Sequence, residues 1–401
     1  MPPSIGYVQE REPAMSWSST EVAPRHRAVG ALAAGGLALM LVACGAPAAP
    51  PAAPPAAPDA GSAATATSAE QFGGMDKLIE AAKAEGTLNV IALPPDWANY
   101  GEMLQAFETK YGLKIDSAQP DASSQDEINA AKQLAGQDRA PDVFDLGVNV
   151  ALANTDLFAP YQVGPFGDIP ANLKDPDGKW VSDYTGYMSI GYDAGKVPAP
   201  TTVEDLLKPE YQGKVALNGD PTAASAGYHG VMMASLGSGG SADDIAPGVE
   251  FFKKLKASGN LLPVDPTPAT IASGQTPVVI DWDYLNTAQT TELAGKVDWK
   301  VVVPQNAVVG AYYVQAINKD APHPAAARLW QEFLYSPDGQ NIWLKGFARP
   351  VLADKMTADG TIDKDAYGKL PATVGTPVVL TQEQLTKAQD YLKANWASAV
   401  G

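Results

Sequence analysis

The chain has 401 residues, 45% of them hydrophobic and 18% charged, with a formal net charge of −17. That is a globular composition, long enough for one large domain or two ordinary ones, and its acidity offers no basic stripe for a nucleic-acid partner. One cysteine excludes an internal disulfide, and three histidines leave little material for a His/Cys metal cluster. No cofactor and no metal are expected, although an oxygen-only site from Asp and Tyr stays open.

Arg25 and Arg27 precede the uncharged stretch AVGALAAGGLALMLVAC. It is too short for a comfortable membrane span and has the form of a secretory signal. Leu41-Val42-Ala43-Cys44 matches a lipoprotein signal-peptidase site, so Cys44 is the expected lipidation point. The Ala/Pro/Ser/Thr run that follows has no amphipathic pattern and reads as a tether.

From Met75 the pattern changes. MDKLIEAAKAEG reads as an amphipathic helix stopped by Gly86, and TLNVIAL as a strand. NYGEMLQAFETKYG has helical spacing, with Asn99 and Glu102 forming a capping signature. LKIDSA is a strand, Ser124 with Glu127 caps the next helix, and DVFDLG is a buried strand. Strand–helix alternation predicts a parallel sheet with helices on both faces and ligands beyond the strand ends. This points to Pro94–Tyr100, Ala118–Ser124 and Gly147–Asn149.

TTVEDLLKPEYQGKVAL, NGDPTAASAGYHGVMMASLG, GVEFFKKLKASG, VVIDWDYLN and DWKVVVP repeat this style as a second α/β domain. YMSIGYDAG and VGAYYVQAINKD read as the two connections between the domains. Pro324 and Pro337 open a helix pair, Ser336 caps its second member and Gly346 ends it. Thr381 and Gln384 cap the last helix.

The lipobox, the Pro-rich tether, EAAKAEGTLNV, LLKPEYQGKVAL, DPTAASAGY and NKDAPHPAAARLWQEFLYSPDGQ together resemble an extracellular solute-binding lipoprotein of an ABC importer. The branch resembled holds polyamine, ferric-ion, thiamine and aminoethylphosphonate binders. The resemblance implies a two-lobed α/β fold of the periplasmic-binding-protein type, with two crossing strands as its hinge. It divides the chain into signal peptide 1–43, tether 44–72, lobe 1 at 73–190, lobe 2 at 191–308 and a return to lobe 1 at 309–401. It implies a monomer, lipid-anchored outside the cytoplasm, that delivers a small solute to a permease in the cytoplasmic membrane.

Candidate ligand contacts come from both sources. The polyamine binders carry a Trp-x-x-Tyr pair in the first loop, matched by Trp97 and Tyr100, and a second-lobe Trp, matched by Trp282. Where they carry Ser and Tyr after the third strand, this chain has Gly147 and Asn149. DPTAASAGY instead resembles the ferric, thiamine and phosphonate members, so Asp220, Thr222 and Ser225 could hold an anion or simply cap a helix. Asp281 and Asp283, interleaved with Trp282 and Tyr284, suit a cation. On an extended strand the two acids share one face and the two aromatics the other, so one acid or Trp282 is expected to contribute rather than all four. Ser123, in a strand-end loop, and Tyr312, near a crossing, complete the set. Tyr100 also fits the apolar stripe of its helix.

A polyamine such as putrescine or spermidine is the preferred ligand, with aminoethylphosphonate, thiamine and ferric ion as alternatives. A secreted hydrolase lacks G-x-S-x-G and a convincing base, so no enzyme is expected. A scaffold lipoprotein would lack an aromatic-lined cleft.

Overall fold

The computed structural model describes residues 60–371 and 377–401. Cys44, the signal peptide and most of the tether lie outside the described residues. The tether, expected to reach residue 72, gives way earlier to two short helices, α1 (Ala60–Thr65) and α2 (Ala69–Phe72). Small side chains that read as low complexity are here packing residues. Ala63 and Ala66 are buried, and the buried Arg328 donates to the carbonyls of Ala64 and Ala66, each at 2.8 Å.

In the first lobe, α3 (Met75–Glu85) ends at Gly86, whose φ of 78° is a left-handed conformation that glycine adopts without strain. Strands β1 (Thr87–Ile91) and β2 (Lys114–Ala118) pair in parallel around α4 (Tyr100–Tyr111). Asn99 does not cap α4 through its side chain. It sits at φ 65° and donates to Glu102 Oε2 and to the Ile342 carbonyl. The capping box of α5 (Ser124–Gln133) uses Ser123 and Asp126, one residue earlier than expected. The overlapping Ser123-Ser124 and Asp126-Glu127 pairs both satisfy the pattern, and burial of Glu127 selects the register. β3 (Val143–Gly147), α6 (Val148–Leu152) and β4 (Phe158–Ala159) follow.

The thirteen-residue β5 (Val181–Asp193) makes the first crossing. The second lobe holds β6 (Val215–Leu217), α7 (Ser225–Gly237), α8 (Ala246–Ala257), α9 (Pro268–Ala272), β7 (Val278–Trp282), α10 (Asp283–Glu292) and β8 (Trp299–Val302). Helix α7 is apolar or small on nearly every face and is buried accordingly. β7 passes into α10 with no intervening loop, where a loop was expected. The chain returns through β9 (Gly310–Asn318), α11 (Pro324–Leu334), α12 (Pro337–Lys345), β10 (Arg349–Pro350), α13 (Ala353–Asp359), α14 (Lys364–Tyr367) and α15 (Gln382–Val400).

The sheet is mixed rather than parallel. The first half of β5 pairs antiparallel with β9, which pairs antiparallel with β3. Its second half pairs antiparallel with β7 and β8, and β6 lies parallel to β7. Between the halves, Met188 N donates to Val309 O, so β5 and the segment entering β9 cross side by side. Buried Trp330, Trp343, Phe107 and Phe333 fill one lobe, and Tyr228, Phe252, Met232 and Ile280 the other. The caps at Thr381/Gln384 and Ser336 form as expected. The last helix departs from a wholly first-lobe return: α15 packs chiefly on α8 of the second lobe and also on α6 of the first.

Candidate functional site

The strand ends and helix starts of the two lobes face one cleft of about 640 Å³. The first lobe lines it with Asp96 and Trp97 after β1, Pro120 to Ser124 after β2, Asp126 and Glu127 of α5, and Asp145 of β3. The second contributes Asn218 to Asp220, Ala223 to Ala226, Asp265 to Pro268, Asp281, Leu285 and Gln289, while Tyr313 of β9 lies between the lobes. Eight of these residues are Asp or Glu and none is Lys, Arg or His, so the lining is acidic, although burial pushes the carboxyls of Glu127, Asp145 and Asp281 up.

Aromatic rings form part of the wall. Trp97 packs edge-on against Tyr313 at 5.5 Å and Tyr284 at 6.0 Å. Its Nε1 donates to the Tyr184 hydroxyl at 2.8 Å, and that hydroxyl donates to Asp145 Oδ2 at 3.3 Å. Asp145 is only 6% exposed, and its Oδ1 has no hydrogen-bond partner among the described residues. Burial pushes the Asp145 carboxyl up, and pushes that of Asp183 up further with the help of the Asp145 charge. Across the cleft, Asp281 is 7% exposed. Its Oδ2 accepts from Asn218 Nδ2 at 2.9 Å and its Oδ1 from its neighbour's amide, Trp282 N, at 2.7 Å. Burial outweighs these bonds and pushes its carboxyl up to about 7. Gln289 Oε1 is a second buried acceptor without a protein partner. Such groups match ammonium donors, which supply both charge and N–H bonds.

Of the residues expected from the sequence, Trp97, Ser123, Asp220, Ser225 and Asp281 line this cleft. Six do not. Tyr100 is fully buried, edge-on to Trp343, and accepts from Gln315. Trp282 is 1% exposed and packs with Tyr284 and His229 behind the wall, because alternation along β7 turns it away when Asp281 faces the cleft. Asp283 forms an ion pair with Arg349 at 2.7 Å and accepts from Tyr187 N. Tyr312 stacks on Trp180, leaving its neighbour Tyr313 to the cleft. Asn149 and Thr222 both bond to Gln389 of α15.

The sequence reading passed over Asp96, Asp121, Asp145, Asp265, Gln289 and Tyr313. Asp96 and Asp121 lie in the strand-end loops already singled out, Pro94–Tyr100 and Ala118–Ser124, and Asp145 stood as an acid inside the buried run DVFDLG. The hydroxyl of Ser225, at the start of α7, lies 3.2 Å from His229 Nδ1. Burial lowers the pKa of that imidazole to about 4, so the ring is neutral and adds no positive charge.

Residues 140–368 match the family described as bacterial extracellular solute-binding protein. Solved structures share the fold at low identity. A periplasmic thiamin binding protein is 17% identical over 79% of this chain and 96% of its own, with a TM-score of 0.63. Iron-bound HitA from Pseudomonas aeruginosa is 17% identical over 79% and 99%, with a TM-score of 0.57. A protein from Listeria monocytogenes assigned as a spermidine/putrescine ABC transporter is 14% identical over 78% and 99%, with a TM-score of 0.57.

Proposed function

We propose that this chain, which belongs to the bacterial extracellular solute-binding proteins, captures a small molecule outside the cytoplasm and hands it to an ABC permease without catalysing a reaction. We propose that its solute is a small organic polycation, such as putrescine or spermidine, taken up by closure of the two lobes. The observation that carries this reading is the set of eight lining carboxylates with no basic residue among them. Asp145 and Asp281, nearly buried in opposite lobes, would each take an ammonium group, while Trp97 and Tyr313 cover the methylenes. Relatives of this fold are titled for thiamin, iron and spermidine/putrescine alike, so lining chemistry rather than fold selects the ligand. We further propose that the protein works as a monomer held to the membrane by a lipid on Cys44.

One feature favours a second reading. Ala223 to Ala226, at the start of α7, line the cleft with a helix N-terminus, which suits an anionic group. A zwitterion such as aminoethylphosphonate would place its anion there and its amine at Asp281. Calorimetry of the purified protein with putrescine, spermidine, thiamine and 2-aminoethylphosphonate separates the two. Micromolar or tighter binding of a diamine is expected. Binding of the phosphonate alone would transfer the assignment to the zwitterion, and binding of neither amine would sink the polycation reading.

A further inference from the structure

At Gly147 the two lobes meet with no side chain from the first lobe between them. Gly147 ends β3 on the first lobe, and Ser225 starts α7 on the second. A methyl group placed on Gly147 would stand 2.3 Å from Ser225 Cβ and 2.6 Å from its Oγ, well inside contact distance. The glycine is not needed by the backbone: its φ of −57° and ψ of 136° suit any residue. Nor does its own lobe crowd it much, since the nearest other atom is Asn149 Oδ1 at 3.2 Å. Gly147 is also held firmly, paired with Tyr313 in the sheet and donating its N–H to Ser124 Oγ at 3.0 Å. Beside this contact runs a polar tie. Asn149 Nδ2 donates to Gln389 Oε1 at 3.1 Å, and Gln389 Nε2 donates to the Thr222 carbonyl at 2.8 Å.

We infer that Gly147 is the closure stop of this protein: its missing side chain sets how near the lobes approach, and so which length of ligand is gripped between Asp145 and Asp281. This rests on the polycation reading. A hinge closes until rigid groups collide, and a strand end meeting a helix start cannot yield as a flexible side chain would. One added methyl group would hold the lobes apart at this edge. A longer ligand tolerates the gap better than a shorter one.

The test uses the full chain carrying Cys44→Ala to avoid the lipid, with small-angle scattering and calorimetry on wild type, Gly147→Ala and the pair Gly147→Ala/Ser225→Gly. Gly147→Ala is expected to have a larger radius than wild type at saturating putrescine, with ligand-induced compaction reduced or lost, and to bind putrescine at least tenfold more weakly. The loss for spermidine should be smaller. The double variant, which removes the atoms that collide, should regain compaction. Gly147→Ala closing and binding like wild type would overturn the inference, as would a fold lost in both variants. If wild type binds no polyamine, the functional reading fails instead, and the radii of wild type and Gly147→Ala with whichever of thiamine or 2-aminoethylphosphonate binds then decide whether Gly147 limits closure.

Discussion

Asp281 and Asp283 stand two residues apart in one short run, yet they do different work. Asp281 lines the cleft with only neutral hydrogen-bond partners, whereas Asp283 is buried against Arg349 and the Tyr187 amide. Asp281→Asn should therefore weaken diamine binding roughly tenfold to a hundredfold, the scale of one charge-assisted contact, without lowering the melting temperature. The same carboxyl should make binding pH-dependent. Its pKa near 7 in the free protein means that it is largely protonated at pH 6. A cationic ligand favours the ionised form, so affinity should rise from pH 6 to 8 with release of a proton. Calorimetry in buffers of different ionisation enthalpy measures that release. An affinity that falls over this range, or proton uptake, would contradict the assignment. The sequence alone placed both acids on one face of the run and the aromatics on the other, and it leaned on Trp282 because a resemblance supplied a role. Burial of that indole depends on His229 and Tyr284, which no local pattern reveals.

Helices and strands with strong periodicity or caps were legible: α3, α8, α11 and α15, and the buried strands β3 and β7. Short elements were not. α6 and α10 each start directly at the end of a strand, at Gly147 and Trp282, with no side-chain cap and no punctuation to announce them. The ordering of α1 depends on Arg328, far along the chain, donating to its carbonyl groups. At the hinge, Arg349 of β10 joins the first half of β5 to the start of α10. Its guanidinium lies 4.4 Å from the Tyr187 ring centre and bonds Asp283. Asp283→Asn should leave the partly exposed Arg349 guanidinium without its counter-charge and cost about 1–3 kcal/mol in denaturant unfolding. An unchanged midpoint would show that the pair contributes nothing to the hinge.

At the scale of the molecule, extracytoplasmic capture requires both an address and a cleft. The proposed address rests on sequence alone, because the pattern read as a signal and lipobox is linear: a basic start, an apolar run and Cys44. Cys44→Ala should move the protein from the membrane fraction to the soluble fraction of the envelope or medium. Retention at the membrane would remove the proposed anchor. The two-lobed α/β class was likewise readable from alternating strand and helix patterns with two Gly-punctuated connections. The mixed pairing was not, because antiparallel β5 and β9 carry no sign of direction in their residues. The acidic lining was also hidden. Its eight carboxylates come from six separate chain segments, and no single segment shows that they share one cleft. Sequence by itself determined what is local: the linear pattern on which the proposed anchor rests and the strongly periodic or capped elements. Only the tertiary structure decided which acids meet across a cleft, which aromatics are walls rather than core, and why residue 147 is glycine. Those depend on distances between segments that folding brings together.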